Sequence, residues 1–218
     1  MISIEKKQIA YNRVKRTSEI RYIVIHDTLN PKKGANADAH FKYFNSRNRN
    51  SSADFFVDDK KILQVNDYTK YCTWQVGDGK GKYGITNQNS IGVEICVNSD
   101  GDYDKAFLNA VELTKYLMKE LGIPAERVVR HYDASRKNCP ASMSENSWAK
   151  WEEFKEAIMD EKVFVDTKGH FAEKDIAELF KMGIVNGKTE ERFMPNEPIT
   201  RGEVAAIARR VIRYITGK

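Results

Sequence analysis

Residues 128–140 contain several side chains that can bind a metal or move a proton. Within this stretch, His131 supplies an imidazole, Cys139 a thiol and Lys137 a cation. Sulfur and nitrogen ligands together are typical of zinc sites in proteins. Two ligands do not make a site, so a third must come from another part of the chain.

The best candidate for the third ligand is His26, which ends an apolar, β-branched run at residues 20–26. Such a run predicts a buried strand that brings the histidine to its C-terminal edge. Two histidines and one cysteine would leave the fourth position of a tetrahedral zinc ion open to water. An open position is typical of a catalytic zinc site rather than a structural one.

Two further residues could complete the chemistry of amide hydrolysis, which needs a base for the water and a cation for the oxyanion. Glu94 lies in a strand predicted at residues 90–97, where a carboxylate is costly unless it is exposed or functional. It is therefore either the base or a solvated edge residue. Lys137 is an oxyanion stabiliser if Cys139 binds metal, and a surface lysine otherwise.

Local patterns predict the elements around these residues. Alternating or helical spacing of apolar residues predicts a hairpin over 53–65, a helix over 104–121 and a helix from Asn36 to about Asn45. His40 lies near the apolar face of the last of these, where a packing role is a better interpretation than a ligand role. The glycine-rich run at 77–84 fits no phosphate-binding motif and indicates a flexible rim loop.

Composition limits the classes of partner. The 218 residues carry a net charge of +5, which fits a polyanionic partner such as a bacterial wall and equally an ordinary soluble protein. Basic residues are not interleaved with aromatic residues in a stripe, so nucleic-acid binding has little support. No run is apolar and long enough to cross a bilayer. Three cysteines argue against a disulfide framework.

Several separated motifs resemble those of the zinc N-acetylmuramoyl-L-alanine amidases of the type 2 amidase family. They lie in order within residues 15–160: Ile23–His26, Asn89–Ile95, Arg130–Asp133 and Arg136–Pro140. The resemblance implies an α/β fold with a mixed central β-sheet flanked by helices. It also implies hydrolysis of the peptidoglycan amide bond between N-acetylmuramic acid and the L-alanine of the stem peptide.

The resemblance assigns roles to the residues singled out above. It implies that Zn²⁺ is held by His26, His131 and Cys139, with Glu94 as base and Lys137 as oxyanion stabiliser. The alternative function is a non-catalytic module that recognises muropeptide. Relatives of that kind typically lack the cysteine ligand, which is present here.

Two positions depart from the family pattern. Many relatives have a histidine where this chain has Asp54 or Gln75, and those positions line the substrate groove in relatives. The resemblance therefore makes Asp54, Trp74 and Gln75 candidate substrate contacts. Asn36 is a further candidate.

Residues 161–218 resemble a single S-layer homology repeat and follow a catalytic domain predicted at 1–160. The resemblance implies a small all-α helical hairpin that binds a secondary wall polymer, with Arg201 as a contact. A unit of about 55 residues is marginal for a free-standing core. Assembly into a homo-oligomer is therefore the other interpretation of this region.

The N-terminus has no apolar segment typical of a secretory signal. We therefore expect the chain to be made in the cytoplasm and to reach the cell wall after release by another protein. That order of events is typical of a phage endolysin.

Overall fold

The structure, a computed structural model, describes residues 3–159, 164–189 and 191–216. The chain divides into two compact units, Met1–Met159 and Asp160–Lys218, here called unit 1 and unit 2. The boundary predicted between residues 160 and 161 lies outside the described residues.

A six-stranded mixed sheet forms the centre of unit 1. In spatial order its strands are β1 (Ile4–Lys6), β5 (Ile62–Gln64), β4 (Phe55–Val57), β7 (Ser90–Ile95), β3 (Tyr22–Asp27) and β8 (Val128–Arg130). Neighbouring strands run parallel except β4 and β5, which form the predicted hairpin. The fold class predicted from the sequence is confirmed.

Helices cover this sheet. They are α1 (Ala37–Phe44), α2 (Tyr103–Leu121), α3 (His131–Ser135) and α4 (Glu145–Ile158). Asn36 is the N-cap of α1, as predicted, and its side chain accepts a hydrogen bond from the amide of Ala39 at 3.0 Å. Phe107 and Leu117 of α2 pack with Phe154 of α4 against apolar side chains of the central strands.

The N-terminal residues contribute one strand to each of two sheets. Besides β1, they form β2 (Arg13–Lys15), which pairs antiparallel with β6 (Tyr71–Thr73). β1 and β2 have three residues each, which is too short for the period-2 pattern to be recognised. Pairing with distant strands determines their structure instead.

Unit 2 contains two helices, α5 (Glu173–Lys181) and α6 (Arg201–Thr216), so the predicted helical C-terminal region is present. Phe164, Ile176 and Ile184 are buried. The side chain of Thr200 accepts a hydrogen bond from the amide of Glu203, whose carboxylate accepts one from the amide of Thr200. This reciprocal pair forms a capping box at the start of α6.

None of the helices formed by the described residues combines the length and the apolar character needed to cross a membrane.

Candidate metal centre

Parallel strand pairing places two of the predicted residues side by side. The register of β3 and β7 sets His26 directly opposite Glu94. On the other side of β3 lies β8, which ends at Arg130 and is followed at once by His131, the first residue of α3. Because the three strands are parallel, their carboxyl ends meet at one edge of the sheet. His26, Glu94 and His131 lie at that edge.

The three predicted metal ligands converge there. The ligand atoms of His26, His131 and Cys139 lie within 4.8 Å of one another, and all three residues are buried. Nδ1 of His26 is 3.7 Å from Sγ of Cys139. The two imidazole rings meet edge to face, with their centroids 4.7 Å apart.

Each imidazole is held by the nitrogen that faces away from this cluster. Nε2 of His26 lies 2.9 Å from Oε1 of Gln75, and Nε2 of His131 lies 2.8 Å from Oδ1 of Asp78. Because an amide oxygen and a carboxylate only accept hydrogen bonds, both Nε2 atoms carry the proton. Both Nδ1 atoms then have a free lone pair.

This arrangement fits a divalent metal ion. Nδ1 of His131 is buried and has no hydrogen-bond partner among the described residues. A buried polar atom without a partner is costly unless a ligand or ion satisfies it. Two imidazole nitrogens and a thiol are a donor set that zinc prefers. In zinc sites, the other ring nitrogen of each histidine is typically hydrogen-bonded to a supporting residue, as Gln75 and Asp78 are here.

Close backbone contacts hold the supporting residues in place. Gln75 donates a hydrogen bond to Oγ of Ser90 at 3.1 Å and lies across Gly92 of β7. A Cβ atom on Gly92 would come within 2.2 Å of Oε1 of Gln75. Glycine is therefore required at position 92 for the amide of Gln75 to reach His26.

Burial shifts the pKa values of the clustered side chains in the direction that favours their neutral forms. It lowers the pKa of His26 to about 3, and the neighbouring His131 adds to the shift. Burial, together with the charge of Glu94, raises the pKa of the Cys139 thiol. Both shifts reflect the cost of placing a charge at this site without an opposite charge nearby.

Glu94 lies at the edge of the cluster with its side chain 21% exposed. Its Oε1 is 4.0 Å from Nδ1 of His26, and its Oε2 is buried without a partner among the described residues. Burial and the charge of Asp27 raise the pKa of Glu94 to about 8, and the charge of Lys137 acts in the opposite direction. Lys137 itself is exposed.

The structure corrects two of the predicted substrate contacts. Asp54 is completely buried, and its carboxylate accepts hydrogen bonds from Asn66, Thr73 and the amide of Gly92. It cannot line a groove, because all of its surface is covered by the fold. Gln75 is also buried and supports His26 instead of facing a substrate.

The other predicted contacts are more accessible. Asn36 is partly exposed, although its side-chain oxygen is used as the cap of α1. Trp74 is half-buried, and Arg201, in unit 2, is the exposed first residue of α6. Substrate binding by Trp74 and polymer binding by Arg201 stay predictions.

Asp78, which contacts Nε2 of His131, is a residue of the candidate site that the sequence did not reveal. It lies in the glycine-rich run at 77–84, which was predicted to be a flexible rim loop. Part of that run forms a 3₁₀ turn (Gly77–Gly79) packed so closely on α3 that a Cβ atom on Gly79 would lie 2.2 Å from the carbonyl oxygen of Ala134. Close packing of the glycine positions Asp78 beside His131.

Comparison with known proteins identifies the family. Residues 16–142 match the family described as N-acetylmuramoyl-L-alanine amidase. The chain belongs to this amidase family. The match includes His26, Glu94, His131 and Cys139. A second match, to the S-layer homology domain, covers residues 163–205.

Individual relatives agree with this assignment. The chain is 39% identical over 161 residues to the N-acetylmuramoyl-L-alanine amidase CwlH of Bacillus subtilis, covering 72% of this chain and 62% of CwlH. It is 40% identical over 137 residues to the amidase XlyA of the same organism, covering 63% of this chain and 43% of XlyA. The chain therefore spans less than two thirds of either relative.

Solved structures resemble unit 1 as well. A mutant endolysin from Bacillus subtilis is 40% identical with a TM-score of 0.65, covering 72% of this chain and 99% of that structure. The catalytic domain of XlyA is 38% identical with the same TM-score of 0.65, again covering 72% and 99%.

Proposed function

We propose that this chain is a zinc-dependent N-acetylmuramoyl-L-alanine amidase that releases the stem peptide from peptidoglycan. The observation that carries the proposal is the convergence of His26, His131 and Cys139 beside Glu94, with ligand atoms within 4.8 Å of one another. Membership of the amidase family supports the substrate.

The metal ligands would be Nδ1 of His26, Nδ1 of His131 and Sγ of Cys139. Bound zinc would lower the pKa of a water molecule and polarise the carbonyl of the scissile amide. Gln75 and Asp78 keep the protons of the two imidazoles on Nε2, so that neither ring can turn its protonated nitrogen toward the ion.

Glu94 and Lys137 would carry out the remaining steps. The Glu94 carboxylate takes a proton from the attacking water and gives it to the L-alanine nitrogen as the C–N bond breaks. Hydrolysis then leaves a lactyl carboxylate on the sugar and a free amine on the peptide. The Lys137 cation stabilises the oxyanion of the tetrahedral intermediate, and its charge opposes the rise in the pKa of Glu94 that burial causes.

Mass spectrometry of digested peptidoglycan tests the reaction. We expect free stem peptides with an N-terminal L-alanine, and we expect Glu94→Gln to slow their release by at least about a hundredfold, since general base catalysis contributes about 10² to 10⁴. Glu19→Gln, an exposed carboxylate outside the site, is the matched control and should be as active as the wild type.

The same assay distinguishes the alternative function. A recognition module would bind muropeptide and release no peptide. The wild type and Glu94→Gln would then both leave the peptidoglycan intact. Zinc content, measured by atomic absorption before and after dialysis against a chelator, tests the metal independently of turnover.

We further propose that unit 2 attaches the enzyme to the wall through a secondary wall polymer. The S-layer homology match supports this role, and Arg201 is the predicted contact with an acidic glycan. Apolar side chains exposed on α6, such as Ile212 and Ile215, favour self-association through the same unit. Association would multiply weak polymer contacts.

Two measurements on the full chain separate these roles. Arg201→Ala should weaken sedimentation with purified walls, whereas Arg209→Ala, an exposed arginine on the same helix, should not. Ile212→Asp should reduce the mass measured by light scattering if copies associate. A wild-type chain that is monomeric at every concentration would rule out self-association.

An endolysin role would fit the solved endolysin relative. We propose that the chain is made in the cytoplasm and acts on the wall after the membrane is opened. Expression in host cells should cause lysis only when a pore-forming membrane protein is made with it. Lysis without such a protein would contradict this order of events.

A further inference from the structure

The two imidazoles of the metal centre are supported by groups of different kinds. Nε2 of His131 faces the carboxylate of Asp78, and an ionised carboxylate accepts hydrogen bonds through either oxygen. Nε2 of His26 faces the side-chain amide of Gln75, which accepts through its oxygen but donates through its nitrogen. The amide therefore supports His26 correctly in only one of its two orientations.

The opposite orientation of the amide would interfere with the proposed metal ligand. Gln75 would then place an N–H donor against Nε2 of His26, which would have to accept. Burial lowers the pKa of His26 to about 3, so the ring is neutral and its single proton would move to Nδ1. Nδ1 is the atom that lies 3.7 Å from Sγ of Cys139. A proton there would take up the lone pair that a metal ion needs.

A serine hydroxyl favours the correct orientation of the amide. Oγ of Ser90 lies 3.1 Å from Nε2 of Gln75 and 2.6 Å from the carbonyl oxygen of Thr86. Because a carbonyl oxygen only accepts, the hydroxyl proton of Ser90 points to Thr86, and Oγ is left to accept from Gln75. If the amide turned, its oxygen would face Oγ, and Ser90 could satisfy only one of two acceptors.

The backbone around these side chains is held in place. The side-chain oxygen of Asn87 accepts hydrogen bonds from the amides of Gln75 and Val76, at 3.0 and 2.8 Å. Thr86 is fixed by a capping box at the start of the 3₁₀ turn that contains Asn87. Ser90 is fully buried at the start of β7, so its hydroxyl is out of reach of bulk water. The orientation of the amide is therefore decided by its protein partners.

We propose that Ser90 is a positioning residue for the metal centre, which sets the tautomer of His26 by fixing the orientation of the Gln75 amide. We call the series from the Thr86 carbonyl through Ser90 and Gln75 to His26 the Ser90 relay. The relay keeps the proton of His26 on Nε2 and leaves Nδ1 free before a metal ion arrives. This inference rests on the proposed metal site, but it concerns the protons of the unloaded chain.

Nitrogen NMR of the zinc-free full chain tests the relay directly. The four histidines are isotopically labelled at their ring nitrogens, because protonated and bare ring nitrogens differ in chemical shift. In the wild type, His26 should carry its proton on Nε2. In Ser90→Ala the amide can turn, and a second population of His26 with its proton on Nδ1 should appear. His131 is the internal control, because its partner Asp78 needs no relay and its proton should stay on Nε2.

Zinc affinity, measured by competition with a chromophoric chelator, gives the size of the effect. Ser90→Ala should lower it about fivefold to tenfold, the effect of losing one hydrogen bond. Ser52→Ala is the matched control. Ser52 is also buried, and its hydroxyl also lies between two partners, the carbonyl of Asn12 and the backbone amide of Trp74. This control should change neither the tautomer of His26 nor the zinc affinity.

A change at position 75 separates the relay from a packing effect. Gln75→Glu places a carboxylate beside His26, the same group that supports His131, and an ionised carboxylate accepts in either orientation. Adding Ser90→Ala to Gln75→Glu should therefore change the His26 tautomer and the zinc affinity little. An equal loss of affinity in both backgrounds would overturn the proposal, because Ser90 would then act through packing.

The tautomer and the zinc affinity also distinguish this proposal from the proposed function. A wild type with the His26 proton on Nδ1 would overturn the relay, and so would an unchanged tautomer in Ser90→Ala. A wild type that carries the proton on Nε2, changes tautomer in Ser90→Ala and binds no zinc would support the relay and contradict only the proposed function.

Discussion

The two units of the chain differ in where their large apolar side chains lie. In unit 1, phenylalanines such as Phe55, Phe56 and Phe154 are fully buried around the sheet and its helices. In unit 2, Phe164 is buried, but Phe171 is 94% exposed and Ile215 of α6 is 76% exposed. Unit 1 therefore buries its largest apolar side chains around its own sheet, whereas unit 2 leaves several large apolar side chains exposed.

The two units also differ in whether their candidate functional side chains are buried or exposed. Unit 1 buries His26 and His131 with Gln75 and Asp78 arranged behind them. In unit 2, the predicted contact Arg201 is exposed. Chemistry needs fixed and desolvated groups, whereas attachment to a polymer can be built from exposed contacts that act in number. This contrast predicts that the two units respond separately to substitution.

The largest effect is expected from Cys139→Ser. Loss of the thiolate should lower zinc affinity at least about a hundredfold, because a ligand contributes more than a residue that only supports a ligand. The rate of peptide release should fall as well. Calorimetry of the full chain checks this, because zinc should raise the unfolding temperature of unit 1 in the wild type and not in the variant. Wall binding through unit 2 should be unchanged. A variant that still binds zinc tightly would contradict the ligand assignment.

A smaller effect is expected from Asp78→Ala, which removes the acceptor that fixes His131. Loss of such a supporting group typically costs about 10- to 100-fold in metal affinity, measured by competition with a chromophoric chelator. Asp78→Asn retains an acceptor oxygen and should lose less. Asp104→Ala, with a side chain that is 84% exposed, is the control. Identical zinc affinity in Asp78→Ala and the wild type would mean that His131 is held by packing alone.

Phe164→Ala should act on unit 2 alone. Removing a buried phenylalanine costs about 3 to 5 kcal/mol, which is comparable with the whole stability expected for so small a core. We expect wall binding to be lost while soluble muropeptide is still cleaved. Phe171→Ala, at an exposed position, should not destabilise unit 2 and is the control for folding. Loss of muropeptide cleavage in Phe164→Ala would contradict the independence of the two units.

The smallest effect is expected on the stability of α6 when the pH is lowered. Hydrogen bonds from Lys188 and Thr200 lower the pKa of Glu203 to about 2 from its ordinary value of 4.5. A lowered folded-state pKa stabilises the fold above the unfolded-state pKa, and this stabilisation is lost as the pH falls from about 4.5 to about 2. Amide NMR signals of α6 should therefore shift toward the unfolded state over that range, with a smaller change in Glu203→Gln. Equal pH dependence would show that the capping box contributes nothing.

The three candidate metal ligands could be picked out from the sequence because their signals are local. His26 ends an apolar run, and His131 and Cys139 lie within nine positions of one another. Caps such as Asn36 and Thr200 are local for the same reason. The structure adds the register that sets His26 opposite Glu94, which no pattern within one strand can specify.

The supporting residues were not predictable, because their partners are distant in the sequence. Asp78 is separated from His131 by 53 positions, and its loop looked like an ordinary glycine-rich turn. Asp54 was assigned to a groove by analogy with relatives, but a buried hydrogen-bond network satisfies it. His40 was predicted to be a packing residue, and its ring is indeed buried and stacked on Phe56.

The pairing of His26 with Glu94 across adjacent parallel strands also separates two parts of unit 1 that can vary independently. The separation of the two side chains is set by main-chain hydrogen bonds of the ladder between β3 and β7. The turn after β3 and α1 lie beside Glu94 but do not belong to that ladder. Insertions or exchanges within residues 29–35 can therefore reshape the surface beside Glu94 without moving it relative to His26.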